Sequence, residues 1–274
     1  MSVSDDALRT IMSDYTREAG VRSLERELGK LLRKVATKLT AGSVTAPVHV
    51  EVGDVRGWLG RARYFFEAAD RTAVPGVATG LAVTGAGGDV LYVEATAIDG
   101  GGDGLSLTGQ LGDVMKESAE IALSYVRSHA AELGLDPATL TGRRFHVHVP
   151  AGAVPKDGPS AGVTMTTALV SLLTGRPVRS VVGMTGEVTL QGLVLPIGGV
   201  KQKVLAAWRA GLREVVLPVR NGPDLEDVPE AVRAEMTFHL ASSVTDVLAA
   251  ALEPVAAAGA AGAANDAAND AAAA

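Results

Sequence analysis

The chain contains 274 residues, of which 47% are hydrophobic and 20% are charged, so it has enough apolar material for one large domain or for a domain with an appendage. The net charge is −6 and the Lys and Arg residues form no run, which argues against a nucleic acid or an anionic membrane as a partner. Cysteine is absent, which excludes thiol nucleophiles, disulfides and thiolate zinc sites and favours a reducing compartment, so we expect a cytoplasmic protein.

Two amphipathic helices are predicted at the N-terminus. Ser4, followed by two aspartates, is typical of a helix cap, and this first helix is expected to end at Gly20. Ser23 is predicted to cap a second helix, in which apolar residues recur at helical spacing: Leu24, Leu28, Leu31, Leu32, Val35 and Leu39. A helix pair must bury such a stripe, so we predict a separate helical unit over residues 1–45 and a connector over residues 46–60.

The pattern changes to β-strands from residue 48 onward. Runs at 48–52, 76–83 and 90–97 are bounded by glycine-rich turns, which predicts antiparallel structure. The glycine clusters at 85–89 and 99–104 lack the G-x-x-x-x-G-K-[ST] spacing of a phosphate-binding loop. Hairpin turns are therefore predicted at both clusters, and no nucleotide site is predicted in this chain.

A long helix and a strand come next. The helix is predicted over residues 113–133, and its buried face is expected to contain Val114, Ile121, Tyr125 and Val126. The strand over residues 144–149 alternates, which places His146 and His148 on the face opposite Phe145, Val147 and Val149. Two histidines on one face could ligate a metal, but no third ligand is evident, so a polar strand face is the preferred interpretation and no metal site is predicted.

Ser160 is the candidate nucleophile. It follows a stiff loop that contains two prolines and a glycine, and it precedes a helix over 161–174 that is apolar on every side and is followed by Gly175. A serine at a helix N-terminus suits an oxyanion or an alkoxide, but it equally suits a simple hydroxyl cap. The spacing G-x-S-x-G also occurs at 158–162. The α/β-hydrolase elbow needs a strand that runs directly into the serine, however, and the nearest predicted strand stops at Pro150.

The C-terminal third alternates between strands and helices. A hairpin is predicted between 181–185 and 188–195, then a helix through Ala210, strands at 214–217 and 236–240, and a helix at 244–252. The main domain is predicted over residues 61–252. Residues 253–274 are rich in Ala and Gly and contain too few large apolar groups for a core, so a disordered tail is predicted.

A serine nucleophile needs a base, and two lysines are candidates. Lys203 lies closer than Lys201 to the apolar stripe of the helix that begins near Gly199, and burial there would lower its pKa and favour the neutral amine. The alternative is that either lysine extends to solvent. His148 and His239 are rival bases, which would make the protein an esterase-like serine hydrolase.

Three segments, in this order and spacing, resemble the proteolytic domain of the Lon protease family: 155–162, 184–190 and 195–203. The resemblance extends through Gly80-Leu81-Ala82, 107–112 and 146–150, so it covers roughly 61–252. Residues 15–22 resemble the end of the small helical subdomain of the family's ATPase module.

The resemblance implies an ATP-dependent serine endopeptidase with a Ser-Lys dyad, in which Ser160 matches the nucleophile and Lys203 the general base. It implies that Thr185 bonds the lysine and that Asp157 lies beside the serine. Asp157 alone is typical of a helix cap, and as an anion near the dyad it would raise the pKa of the lysine. The implied fold is α+β with small sheets, similar to the second domain of ribosomal protein S5, assembled as a hexameric ring.

The resemblance also implies that the substrates are unfolded polypeptides. ATP and magnesium would bind the ATPase module, whose Walker motifs this sequence does not contain, so no cofactor is expected in this chain. An inactive assembly or adaptor module that keeps only the fold is the alternative from a different functional class.

Overall fold

The computed structural model describes residues 1–16, 18, 20–63, 72–85, 87–100, 102–150 and 156–254. Residue Pro155 of the serine loop and all but the first two residues of the predicted disordered tail lie outside this described part. None of the helices within the described ranges is long and apolar enough to cross a membrane.

The N-terminal unit consists of strand β1 (Ser2–Val3), helices α1 (Asp5–Tyr15) and α2 (Arg22–Thr40), strand β2 (His49–Val50) and helix α3 (Val52–Leu59). The predicted cap of α1 is confirmed, because Ser4 Oγ accepts a hydrogen bond from Ala7 N at 3.3 Å. The predicted Ser23 cap of α2 is wrong. The carboxylate of Glu18 accepts the N–H groups of Ser23 at 2.7 Å and Leu24 at 2.9 Å, so an anion at the positive end of the helix takes the place of a hydroxyl.

One hydrophobic cluster holds this unit together. Its fully buried members are Ala7, Ile11, Tyr15, Leu31, Val50 and Val55. The stretch 46–60, expected as a connector, contributes β2 and α3 to the cluster, and α3 begins where the strand predicted at 48–52 was expected to end. Tyr15 Oη also donates to Gly60 O at 2.7 Å, which ties α1 to the end of α3.

The other strands of the described ranges are β3 (Val77–Thr84), β4 (Gly87–Asp99), β5 (Gly104–Thr108), β6 (Arg143–His148), β7 (Val182–Met184), β8 (Glu187–Val188), β9 (Val194–Leu195), β10 (Glu214–Pro218) and β11 (Thr237–Ala241). Seven of them form one sheet in the order β11-β10-β7-β3-β4-β6-β5, whereas β8 and β9 pair with each other. Only the β3–β4 and β4–β6 pairs of the large sheet are antiparallel. The α+β class is confirmed, with one large mixed sheet in place of the several small sheets expected.

The predicted hairpin between residues 181–185 and 188–195 is wrong. Strand β7 joins the large sheet between β10 and β3, and both of these pairings are parallel. The true hairpin is the short one between β8 and β9. The large sheet therefore ends at Met184 in this region, and the chain leaves it directly at Thr185.

Helices cover both faces of the large sheet. They are α4 (Asp113–Ser128), α5 (Gly162–Thr174), α6 (Val200–Arg209), α7 (Glu230–Ala234) and α8 (Val244–Ala251). Ala78 and Val216 point into the larger core cluster with α4, α5 and α8, whereas Leu81 and Val215 point into the cluster with α6 and α7. Helix α5 is buried along its whole length from Gly162 to Ser171, as its composition predicted. Val114, predicted to be buried on α4, is 43% exposed, because the buried face of the helix runs instead through Met115, Ala119, Ala122 and Val126.

Candidate active site

Ser160 lies in a 3₁₀ turn (Pro159–Ala161) that leads directly into α5. Its carbonyl oxygen accepts hydrogen bonds from Gly186 N at 2.9 Å and from Thr185 Oγ1 at 3.3 Å. Val163 N in turn donates to Gly186 O at 3.1 Å. These contacts in both directions fix the serine turn against the segment that follows β7.

Glycine is required at the closest point of this contact. A Cβ atom on Gly162 would lie 2.9 Å from Val188 N, which is nearer than real Cβ atoms approach a backbone atom. The glycine after the serine therefore has a packing role here, independent of the G-x-S-x-G spacing. Among the described residues, the nearest strand before the serine is β6, which ends at His148, and residues 157–159 immediately before Ser160 form no strand, unlike the strand-to-serine connection of an α/β-hydrolase.

Lys203 lies on α6 with its side chain turned into the protein. It is 3% exposed, whereas Lys201 on the same helix is exposed, so of the two alternatives that the helical pattern leaves open for Lys203, burial is the one observed. Burial lowers the pKa of Lys203 from 10.5 to about 8. Its Nζ donates a hydrogen bond to Thr185 Oγ1 at 3.0 Å.

Thr185 lies between the lysine and the serine. Its hydroxyl accepts from Lys203 Nζ and donates to Ser160 O, so its one proton and one of its lone pairs are both used. Its backbone N–H donates to Val216 O of β10 at 3.0 Å, and the residue is 2% exposed. In the described part of the chain no hydrogen bond joins Lys203 directly to Ser160; the two residues are linked through this hydroxyl.

Asp157 is bonded to a helix that is distant in sequence. Its Oδ1 accepts from Met115 N at 3.0 Å and from Gly158 N at 2.9 Å. Met115 is in the first turn of α4, whose N-cap residue, Gly112, has no side chain of its own to offer. The side chain of Asp157, which is not part of α4, thus caps this helix. A Cβ on Gly112 would lie 2.3 Å from the carboxyl carbon of Asp157, so only glycine leaves room for this cap.

Lys156 is a site residue that the sequence analysis did not single out. Its Nζ donates to Gly109 O at 2.9 Å, and burial lowers its pKa. Its backbone N–H donates to Gln110 O at 3.0 Å, and its carbonyl accepts from Gly112 N at 2.7 Å. The serine loop is therefore paired with the loop that leads into α4. The sequence around Lys156 gives no local sign of this role, because the carbonyl that the lysine bonds is distant in the chain.

A cleft of about 380 Å³ opens in front of Ser160. Its wall includes β3 from Gly80 to Thr84, with Met115 and Thr164 on other sides. Strand β3 pairs with β7 only at Gly80 and Met184, so among the described residues no strand pairs with Leu81, Ala82 and Val83 on the side of β3 away from β4. A Cβ on Gly80 would lie 2.8 Å from Leu91 Cδ1 and 3.0 Å from Thr164 Oγ1.

The candidate histidine bases bond to groups other than Ser160. His146 Nε2 and His148 Nδ1 both bond to Thr108 Oγ1, at 2.9 and 2.6 Å. His239 Nε2 bonds to Glu214 Oε2 at 2.7 Å, where Arg179 also binds the carboxylate. Within the described ranges, no group of three or more His, Asp or Glu side chains is arranged to hold a metal ion.

Comparison with known families accounts for nearly all of the described chain. Residues 49–254 match the model of the Lon protease (S16) C-terminal proteolytic domain, and residues 1–48 match that of the Lon protease AAA+ ATPase lid domain. The chain belongs to the Lon protease family. The match ends the lid at residue 48, whereas the N-terminal hydrophobic cluster continues through β2 and α3.

Similar relatives come from several bacteria. The chain is 65% identical over 254 residues to "Lon protease" of Salinispora arenicola, 62% identical over 256 residues to that of Frankia alni and 62% identical over 254 residues to that of Mycolicibacterium smegmatis. Each alignment covers 93% of this chain but only 32%, 29% and 32% of the respective relative. The chain thus spans about a third of the length of these Lon proteases.

Proposed function

We propose that this chain is the proteolytic part of an ATP-dependent serine endopeptidase that hydrolyses peptide bonds in unfolded or damaged proteins through a dyad of Ser160 and Lys203. The observation that supports this best is the buried contact from Lys203 Nζ to Thr185 Oγ1, which continues to the carbonyl of Ser160. A lysine with a pKa near 8 has a neutral fraction of about a tenth at pH 7, which is enough to act as a base.

In this mechanism the hydroxyl of Ser160 attacks the scissile carbonyl carbon while neutral Lys203 accepts its proton. The lysine then gives that proton to the leaving amine, and an acyl-enzyme remains on Ser160. Water attacks the ester in the second half, again with Lys203 as the base. Thr185 supports the reaction by orienting the amine, since its hydroxyl is the group that Lys203 Nζ contacts.

Backbone N–H groups near the start of α5 stabilise the oxyanion in this proposal, helped by the positive end of the helix dipole. The N–H groups of Gly162 and Val163 already donate to Pro159 O and Gly186 O. The donors therefore have to come from earlier in the turn, beginning with Ser160 itself.

The substrate fits the cleft as an extended strand. The edge of β3 from Leu81 to Val83 offers backbone groups beside Ser160, and an added strand would bind through main-chain hydrogen bonds that do not depend on sequence. This mode of binding favours a locally unfolded polypeptide, since most strands of a folded protein are already paired with neighbouring strands. It therefore agrees with unfolded proteins as the substrate class.

The rest of the assignment concerns the whole protein. We propose a homo-oligomer, in the form of a hexameric ring, with ATP and magnesium bound by the ATPase module to which the matched lid belongs. No cofactor, nucleic acid or membrane takes part in the peptide-bond chemistry of this chain, and the compartment is the cytoplasm. The division proposed from the sequence is a helical lid fragment over 1–45, a connector over 46–60, the proteolytic domain over 61–252 and a tail over 253–274.

Substitution of the dyad tests the proposal. We expect Ser160→Ala and Lys203→Ala each to abolish cleavage of casein with the fold kept, because the two groups act as a unit, and Lys201→Ala to stay active as the matched control. A peptide boronate should modify Ser160 covalently. Proteolysis by purified Ser160→Ala protein would contradict the nucleophile assignment. Absence of both boronate modification and cleavage would favour an adaptor, and loss of activity in His148→Ala or His239→Ala alone would favour the esterase-like hydrolase.

A further inference from the structure

Asn221 is a buried polar residue to which the proposed reaction assigns no role. It is 4% exposed and ends the 3₁₀ turn Val219–Asn221 that follows β10. Its Oδ1 accepts from Ile197 N at 3.0 Å, and its Nδ2 donates to Ile197 O at 2.9 Å and to Asp224 Oδ2 at 2.6 Å. Both amide protons are used, and the side chain binds the N–H and the C=O of the same residue, Ile197.

Ile197, whose backbone is bonded by Asn221, lies just before the helix that bears Lys203. Gly198 and Gly199 separate it from α6, and Gly199 has a φ of 73°, in the left-handed region. A Cβ on Gly198 would meet nothing within 4 Å, whereas a Cβ on Gly199 would lie 2.6 Å from Val83 Cγ2, so of these two glycines only Gly199 is closely packed. Two consecutive glycines give the backbone wide conformational freedom, so the bonds from Asn221 to Ile197 restrict the path of the chain into α6, in addition to the packing at Gly199. Lys203 N itself donates to Gly199 O at 3.0 Å.

The same segment also fixes the partner of the lysine. Val216 O, on β10, accepts the N–H of Thr185 at 3.0 Å, and Asn221 follows at the end of the next turn. Strand β10 and the turn after it thus locate Thr185 on one side and the start of α6 on the other. The distance between Thr185 Oγ1 and Lys203 Nζ depends on both attachments.

We propose that Asn221 is a positioning residue for peptide hydrolysis: by clamping Ile197 it sets the start of α6 and holds Lys203 against Thr185, within reach of Ser160. Asn221 does not touch the reacting atoms and acts through the helix. The inference rests on the proposed function, because it takes Lys203 as the base.

The surroundings of Lys203 make its pH dependence a readout of this role. The charged residues of its own helix are Lys201 and Arg209. Those on the elements packed against that helix, β4 and the turn Pro223–Asp227, are Asp89, Glu94, Asp99, Asp224, Glu226 and Asp227, and Glu235 bonds Trp208 of the same helix. In the described part of the chain no acidic side chain forms a salt bridge with Lys203, and burial is the cause of its lowered pKa. A helix that moves and admits water would let the pKa of Lys203 return toward 10.5.

The experiment compares the full chain with its Asn221→Ala variant in peptide hydrolysis between pH 6 and pH 10, with the folded fraction measured by circular dichroism. We expect kcat at pH 8 to fall about tenfold to a hundredfold with little change in KM, and the midpoint of the pH profile to move to higher pH. An unchanged kcat, or a kcat that falls only with the folded fraction at an unchanged midpoint, would overturn the inference.

A charge-conserving double variant serves as the second measurement and decides the question if Asn221→Ala does not fold. Asn221→Asp combined with Asp224→Asn keeps one amide and one carboxylate, keeps the acceptor for Ile197 N and removes the donor to Ile197 O. We expect an upward shift of the pH midpoint smaller than that of Asn221→Ala, and no shift would contradict the clamp.

Asp224→Asn alone keeps an acceptor for Asn221 Nδ2 and should show an unchanged midpoint. If Lys203→Ala stays active, the proposed function fails; if it is inactive and the midpoint does not move, only this inference fails.

Discussion

At the scale of single residues, the proposed peptide hydrolysis depends on how strongly burial favours the neutral amine of Lys203. A lysine in water has a pKa near 10.5, and its position on α6 lowers this to about 8. No positive neighbour is needed for the shift, since loss of hydration alone disfavours the ammonium form. The hydroxyl of Thr185 accepts a hydrogen bond from either form and so orients the amine without fixing its charge.

We expect peptide hydrolysis to rise with pH through about pH 8 and to level off above pH 9, because the reaction requires the deprotonated amine. The measurement is kcat/KM of a fluorogenic peptide across this range. A histidine base, with an ordinary pKa near 6.5, would give a plateau just above neutrality. A profile that levels off near pH 7, together with an inactive His148→Ala protein of normal fold, would exclude the lysine mechanism.

Local patterns predict some site residues and not others. Helical spacing places Lys203 closer than Lys201 to the core but leaves open whether either lysine is buried, so the choice of Lys203 as the base depends on the family resemblance. The roles of Lys156 and Asp157 could not be predicted from spacing, since their partners, Gly109 and Met115, lie far away in the chain. Thr185 is identified as a site residue only through the family resemblance. Its hydrogen bonds to Lys203 and Ser160 are observed, and its role in the reaction stays a proposal.

At the scale of elements, α6 packs against β4 at a point where no side chain fits. A Cβ on Gly88 would lie 1.9 Å from the carbonyl oxygen of Gln202, the residue before Lys203. Because Gly88 has no left-handed φ, the requirement is steric and not conformational. The close approach of helix and strand places the buried face of α6 directly over the sheet, where Lys203 meets Thr185.

Gly88→Ala should therefore destabilise the chain by about 1–3 kcal/mol or more and lower peptide hydrolysis, since α6 must move away from β4. Thermal unfolding and kcat are the measurements. Gly85→Ala is the matched control in the same hairpin, because a Cβ there meets nothing within 4 Å, and its melting temperature should stay close to that of the unchanged chain. Equal stability of the two variants would show that the helix is not held so closely.

Most elements were predictable because their periodicity is local, and the errors have a common physical cause. The burial of helix α5 follows from its apolar composition, and the burial of Phe145 and Val147 in β6 follows from their alternation with polar residues. The hairpin predicted between 181–185 and 188–195 does not form, because two strands that are close in sequence need not pair with each other. Strand β7 instead gains parallel partners on both sides, from residues that are distant in the chain. Periodicity shows that a strand exists, but it does not choose its neighbour.

At the scale of the whole molecule, a lid unit and a proteolytic unit have separate hydrophobic clusters. The seven-stranded sheet lies between two helical layers, and the residues of the proposed dyad come from both layers: Ser160 precedes α5 on one side, and Lys203 lies on α6 on the other. Thr185, which follows the end of β7, bonds both of them. The site is therefore built across the sheet, and the energy of folding has to include the burial of a lysine there.

That burial should appear in the pH dependence of stability. Below pH 8 Lys203 is protonated in both the folded and the unfolded chain, so folding has to bury a charge, at a cost of about 3 kcal/mol for a pKa lowered from 10.5 to about 8. Between pH 8 and pH 10.5 the unfolded chain still binds the proton and the folded chain does not. The free energy of unfolding therefore rises with pH in this window, as far as Lys203 contributes to it.

Lys203→Met removes the charge and keeps the apolar stem. We expect this inactive variant to be more stable than the unchanged chain at pH 7 by about 2 kcal/mol, since the lost bond to Thr185 offsets about 1 kcal/mol of the gain. The advantage should shrink as the pH rises from 8 to 10.5. Trp208 fluorescence in urea reports this transition when both proteins also carry Trp58→Phe, because the chain has only two tryptophans. An advantage that is absent at pH 7, or that does not change with pH, would show that Lys203 is not buried as a base must be.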